Sequence, residues 1–243
     1  MVQKTDLISR LRKEILPLEG LRAAYRGDGP EFGWGEIQEA FPLGIFPLGA
    51  VHEFITTGPE TTAATSGFIS GILGCLMKKG GAVVWVGKSL KIFPPALKQF
   101  GIDPGRVIFI SLQKEKDLLW ALEESLKCNG LSAVVGEISD FSFTHSRRFQ
   151  LAVEQSQVTG FIIRNHIGQI NINTCVSRWE IQPVPSETFD GLPGLGFSRW
   201  QVELLKIRNG KPGTWLLDWA ADRFQLITQK MPAIHFLPKK KTG

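Results

Sequence analysis

Gly58-Pro59-Glu60-Thr61-Thr62-Ala63-Ala64-Thr65 is the stretch on which the reading of this chain turns. A nucleotide-gripping loop has the pattern G-x-x-x-x-G-K-[ST] between a strand and a helix. Its second glycine lets backbone N–H groups close round the phosphates, and its lysine neutralises the outer ones. Here Gly58 and Thr65 occupy the positions of the first glycine and the hydroxyl, while Ala63 replaces the second glycine and Ala64 the lysine. The flanks have the right character. Gly49 to Ile55 reads as a strand, and Phe68 to Leu73 as an apolar helix. Two readings stand: a phosphate loop stripped of its charge, or an ordinary Gly-Pro turn before a helix.

Working outward, apolar runs alternate with helical patterns. Ala82 to Val86 is continuously apolar, as a strand buried on both faces should be. Residues 93–100 read as a short helix opened by Pro94 and Pro95, and Arg106 to Ile110 as the next strand. Residues 115–128 form a helix with a stripe of Leu118, Leu119, Leu122 and Leu126. Ala133-Val134-Val135, a helix from His145 to Gln157 and a strand from Thr159 to Arg164 follow. This alternation predicts a doubly wound, mostly parallel α/β sheet. After residue 170 the pattern becomes apolar-polar, over Val176–Ile181, Arg199–Leu205 and Gly213–Trp219. Arg208-Asn209-Gly210-Lys211-Pro212-Gly213 between the last two is a hairpin signal. The C-terminal third is therefore expected to add antiparallel strands to the same sheet.

The ends differ from this core. Residues 5–16 have helical apolar spacing at Leu7, Ile8, Leu11, Ile15 and Leu16, and residues 26–49 read as a Gly/Pro-rich linker wrapping the domain. The resulting organisation is a helix and linker over 1–42, a core over 43–222 and a tail over 223–243.

Composition bounds the function. With 243 residues, 43% hydrophobic and 21% charged, the chain has a globular composition and can bury a full core. The net charge of +5 is compatible with nucleic acid but, being spread along the chain, is weak evidence for it, and any contact with DNA is expected to be indirect. The one tight basic run, Lys239-Lys240-Lys241, reads as a solvated tail. Three scattered cysteines, Cys75, Cys128 and Cys175, suit reduced thiols in the cytoplasm. The four histidines lack ligand-pair spacing with one another or with cysteine, so no metal is expected, and with the loop's glycine and lysine replaced no cofactor is expected either. No signal peptide or membrane span is read.

The order of parts resembles the core of RecA and its relatives, best over Leu43-Gly44, Leu48 to Glu53 and Gly58 to Thr62, and again through Phe100-Gly101-Ile102-Asp103. The resemblance is closer to the ImuA family, the RecA-like accessory proteins of SOS-induced, error-prone DNA repair. The residues that carry it run in order over roughly 43–220: His52-Glu53, Phe93-Pro94-Pro95-Ala96-Leu97, Ser146 to Ala152, Thr159-Gly160-Phe161, Ser177-Arg178-Trp179, and Arg199 to Leu205 with Arg208 to Gly213. The resemblance implies a RecA-like fold and a part in SOS mutagenesis by translesion synthesis. The partners it implies are a catalytically inactive Y-family polymerase-like protein (ImuB), an alternative replicative-type DNA polymerase and RecA.

The departures bear on catalysis. Besides Ala63 and Ala64, extra residues between Glu53 and Gly58 lengthen the loop relative to RecA. The strand from Leu131 reaches Gly136 where a nucleotide hydrolase holds its metal with aspartate, and Glu137 is read as turned to the other face. Gly87-Lys88-Ser89 offers no water-activating glutamate. A pseudo-ATPase without catalytic residues is expected. Two other readings stay open. One is a noncanonical ATPase that takes its lysine from elsewhere, such as Lys88. The other is a SulA-type cell-division inhibitor.

Thr61, Thr62 and Thr65 either contact an anion or cap the helix. Lys206 and Arg208, two apart on one strand face, either meet a neighbouring subunit, as the RecA likeness implies, or are solvated. Arg147 and Arg148 place positive charge near a helix start, against the dipole, which points to an anionic partner, a nearby carboxylate or an exposed pair. Trp85, Trp120, Trp179 and Trp200 fall in expected core elements, and Trp215 and Trp219 on one strand face. His52 and Glu53, adjacent on a strand, face opposite sides and cannot act as a dyad.

Overall fold

The computed structural model describes residues 30–165, 170–186 and 196–227. The helix read over 5–16, His166 and the Lys239–Lys241 run lie outside the described residues.

A strand buried on both faces needs apolar residues throughout, and the chain supplies several. In β2 (Ala82–Gly87), Val83, Val84, Trp85 and Val86 are all buried. With β1 (Val51–Thr56), β3 (Val107–Ser111), β4 (Leu131–Ile138), β5 (Thr159–Asn165) and β6 (Ser177–Val184) it forms a parallel array ordered β3-β2-β4-β5-β1-β6. Then β7 (Ser198–Ile207), β8 (Gly213–Ala220) and β9 (Arg223–Leu226) continue the sheet antiparallel. Helix α1 (Pro59–Leu76) packs on one face, over β1 and β4 to β6. On the other face, α2 (Glu115–Leu126) covers β2 and β4, and α3 (Phe143–Ser156) covers β1 and β5. This is the RecA-like, doubly wound sheet with antiparallel extension expected from the sequence.

Four details depart from the sequence reading. First, β6 is parallel to β1, with His52 opposite Ser177, although its alternation grouped it with the antiparallel strands. Second, β4 runs on through Gly136 and Glu137 to Ile138. Third, Trp120 on α2 is 64% exposed. It follows Leu118 by two residues, about 200° round a helix, so the leucine stripe takes the core and the indole faces out. Fourth, β1 extends to Thr56 and α1 begins at Pro59, so most of the residues between Glu53 and Gly58 belong to the strand and two residues connect it to the helix.

From residue 30 on, the Gly/Pro-rich stretch packs into the core of the sheet. Trp34 is fully buried, stacking on Phe32 at 4.4 Å and meeting Phe46, Phe68 and Phe224 at 5.2–6.2 Å. Phe224, on β9, brings the start of the presumed tail into the same aromatic cluster.

Candidate functional site

The α1 N-terminus sits at the C-terminal edge of β1, where an open α/β sheet binds ligands. Its N-cap is Gly58 and Pro59 takes the first helical position. Both threonine hydroxyls that follow are engaged locally. Thr61 Oγ1 accepts from the Thr57 and Gly58 N–H groups at 3.0 and 3.1 Å, and donates to the Gly58 carbonyl at 3.0 Å. Thr62 Oγ1 donates to the same carbonyl at 2.8 Å. Thr65 is fully buried within α1, and its Oγ1 has no partner. So the octamer that aligns with a phosphate loop is helix from its second residue onward.

Beside this helix start lies a groove of about 1180 Å³, lined among others by Glu60, Ala63, Lys88, Lys91, Phe93 and Glu137. Glu137 corrects the sequence reading. A Cβ on Gly136 would meet Leu122 at 2.6 Å, on the α2 side. Alternation then turns Glu137 to the α1 side, into the groove. Its carboxylate accepts the Trp85 indole N–H at 2.7 Å. Burial pushes its pKa up, against the opposing effects of that hydrogen bond and the Lys91 charge. Lys88 and Lys91 are exposed at the groove. A carboxylate therefore does line the groove at the end of β4, one residue beyond Gly136.

A second polar centre lies on the opposite face. Glu53 is fully buried. It receives Arg178 Nε at 2.6 Å, Asn173 Nδ2 at 2.7 Å and Arg164 Nη1 at 3.3 Å. His52, its neighbour, points the other way. Its ring nitrogens meet Ser177 Oγ at 2.6 Å and the Pro47 carbonyl at 2.8 Å, and it stacks on Phe46. Burial, partly offset by the Pro47 hydrogen bond, lowers its pKa from 6.5 to about 4. The two cannot form a dyad, as their adjacency on a strand required.

Lys206 is on β7 and Arg208 follows its end at Ile207. They are turned onto their own chain: Lys206 Nζ donates to the Asn173 carbonyl at 3.3 Å, and Arg208 Nη2 to that of Thr174 at 3.1 Å. Burial and then the Arg178 charge hold the Lys206 pKa below its ordinary value. On α3, capped by Ser142, Arg148 pairs with Glu123 of α2 at 2.6 Å, one of the carboxylate partners its position suggested, and Arg147 is exposed. Sequence reasoning missed the Glu53 cluster. Its signal was Arg164 and Arg178 on strands that flank β1, at positions whose parity matches Glu53.

Among the described residues no group of three or more His, Cys, Asp or Glu side chains gathers to hold a metal, and no helix is long and apolar enough to cross a membrane. No protein-family model matches the chain. Two proteins named Protein ImuA, from two strains of Caulobacter vibrioides, are each 36% identical to it over 211 residues, covering 81% of this chain and 86% of the relative.

Proposed function

This chain belongs to the ImuA family, and from that premise we propose that it is a non-catalytic, RecA-like accessory protein of DNA-damage-induced, error-prone translesion synthesis, acting through protein–protein binding. The observation that carries the reading is the α1 N-terminus. A phosphate cradle needs a run of unpaired backbone N–H groups and a lysine. Here a two-residue connection replaces the loop, the Thr61 and Thr62 hydroxyls are spent on Gly58, and Ala64 stands at the lysine position. The partners in this reading are the Y-family polymerase-like protein ImuB, an alternative replicative-type polymerase and RecA, with DNA reached through them.

One observation favours a second reading, a noncanonical ATPase: Lys88, Lys91 and Glu137 line the groove beside the helix start. A single pair of assays separates the two. ATP hydrolysis is measured with and without single-stranded DNA, and the tagged protein is recovered from DNA-damaged cells to identify what accompanies it. The expected result is no hydrolysis above background and co-recovery of the polymerase-like protein. A steady-state rate of about 0.1 per second or more, lost in Lys88→Ala, overturns the first reading in favour of the second; ordinary enzymes run at roughly 1–10³ per second.

A further inference from the structure

Nine large apolar side chains are exposed among the described residues; Phe143 and Leu151 stand on α3, and Ile170 and Ile172 on the segment that leads to Thr174, which α3 holds. Phe143, Arg147 and Leu151 recur every four residues on α3 and share a face. On one flank of that face Arg148 turns to Glu123 of α2. On the other, Ser146 Oγ receives the Thr174 N–H at 3.1 Å, which fastens the C-terminal end of the 170–174 segment to α3. Ile172, 83% exposed, stands on that segment.

The segment rests on cations. Arg178 donates to the Asn171 carbonyl, Lys206 to that of Asn173 and Arg208 to that of Thr174. With Arg147 and the buried Arg164, this makes five positive charges. Two carboxylates lie among them: Glu53, already engaged by Arg164 and Arg178, and Glu154, which accepts the Gln150 amide. Glu180 and Glu203, opposite each other across β6 and β7, bound the surface further along. The local surplus is positive. It adds to burial in lowering the Lys206 pKa through the charges of Arg178 and Arg208.

We infer that this surface, formed by the outer face of α3 and the 170–174 segment, docks an acidic segment of another protein that carries apolar side chains. The inference rests on the proposed role as a protein-binding accessory factor. Charge selects the occupant. The chain's own ends do not complement it: residues 1–29 hold six lysines and arginines against four carboxylates, and residues 228–243 hold four lysines and no carboxylate. A second copy presenting the same face brings the same positive surplus and is repelled. Nucleic acid fits less well, since three of the cations are held by backbone carbonyls and the exposed groups between them are mainly aliphatic. A protein segment uses both the apolar stripe and the field around it.

The test has two arms on the full chain. In the first, affinity for the polymerase-like partner is measured at two salt concentrations. Phe143→Ser combined with Ile172→Ser is expected to weaken binding at least about tenfold, as loss of a central apolar anchor does. Arg147→Glu is expected to weaken it by a similar factor at low salt, with much of the difference lost at high salt. Trp120→Ser, on the outward face of α2, should change it less than about twofold. Unchanged affinity in the first two variants, or a loss confined to Trp120→Ser, overturns the surface and leaves the functional reading standing. In the second arm the probe is a synthetic Glu/Leu amphipathic peptide beside its Lys/Leu counterpart. Saturable binding of the acidic peptide alone, lost in the Phe143→Ser, Ile172→Ser variant, supports the surface even if the polymerase-like protein fails to bind, in which case only the functional reading falls. Equal binding of both peptides, binding of neither, self-association through this face, or binding of single-stranded DNA lost in Arg147→Glu and kept in the serine variant overturns it.

Discussion

Glu53 receives Arg178 Nε at 2.6 Å across the parallel seam between β1 and β6. The carboxylate is fully buried, and Arg164, which shares it, is 1% exposed. The pair therefore ties three neighbouring strands, β5, β1 and β6, by one charge-assisted cluster whose hydrogen bonds are completed by Asn173. That cluster fixes where the chain re-enters the sheet after β5 and so sets the path of the 170–174 segment.

Removing the carboxylate leaves two guanidinium groups without their counter-charge in a desolvated place. Glu53→Ala is expected to lower the unfolding free energy by about 3–5 kcal/mol, the cost of breaking a buried ion pair from one side. Glu53→Gln, which keeps an acceptor, should cost less. Urea denaturation of the three proteins checks this; a loss below about 1 kcal/mol for Glu53→Ala means that water reaches the cluster.

His52 gives the fold a pH dependence with a definite sign. Its folded pKa is depressed to about 4 from an ordinary 6.5. At pH above 6.5 the ring is neutral in both states and contributes no dependence. Between pH 6.5 and about 4 the unfolded chain binds the proton and the folded one does not, so stability falls as pH falls. The loss is complete near pH 4 and amounts to roughly 3 kcal/mol at about 1.4 kcal/mol per pH unit. Denaturant midpoints from pH 7.5 to 4 should show this slope, and His52→Gln should flatten that part of it. Parallel slopes in the two proteins would assign the pH dependence to other groups.

Much of the sheet was legible because its signals are local. The apolar run of β2, the leucine stripe of α2 and the Arg208–Gly213 turn each need only their own residues. The orientation of β6 was not local: alternation shows that one face of a strand is buried, and the direction in which it joins β1 depends on the connection before it. Glu137 was misplaced for a related reason. Alternation puts it opposite Gly136, but which of the two faces the groove depends on which helix packs on each side of the sheet. Lys206 lies on β7 and Arg208 just beyond its end, and the neighbouring carbonyls they hold come from a segment over 30 residues away in sequence.

Thr65 tests the vestigial loop directly. Its side chain is fully buried and its hydroxyl has no hydrogen-bond partner. An orphaned buried hydroxyl is a cost to the folded state, and Thr65→Val keeps the shape and the β-branch. The variant is expected to match or exceed the parent in stability, by up to about 1 kcal/mol. Thr61→Ala, by contrast, removes the group that answers the Thr57 and Gly58 N–H donors and should cost about 1 kcal/mol. Thermal melts compare the three. A Thr65→Val protein that is markedly destabilised would show that this hydroxyl has a partner in solution, a bound anion included.

Trp34 decides where the folded unit begins. Its indole is fully buried against Phe32, Phe41, Phe46, Phe68, Trp179 and Phe224. Those rings come from the Gly/Pro-rich segment, from α1, from β6 and from β9, so the tryptophan joins both ends of the described chain to the central sheet. Trp34→Ala is expected to cost about 3–5 kcal/mol, the usual range for deleting a large buried aromatic. Domains are stable by only about 5–15 kcal/mol in total, so this variant should melt well below the parent. A chain cut to residues 43–222 loses more: Phe32, Trp34, Ile37 and Phe41 from one side, and Phe224 from the other. It is expected to show no cooperative unfolding transition, while a chain spanning 30–227 retains one. Tryptophan fluorescence and near-ultraviolet circular dichroism during thermal melts distinguish these outcomes. A cooperative transition in the 43–222 chain would mean that the sheet and α1 close their core without the aromatic plug.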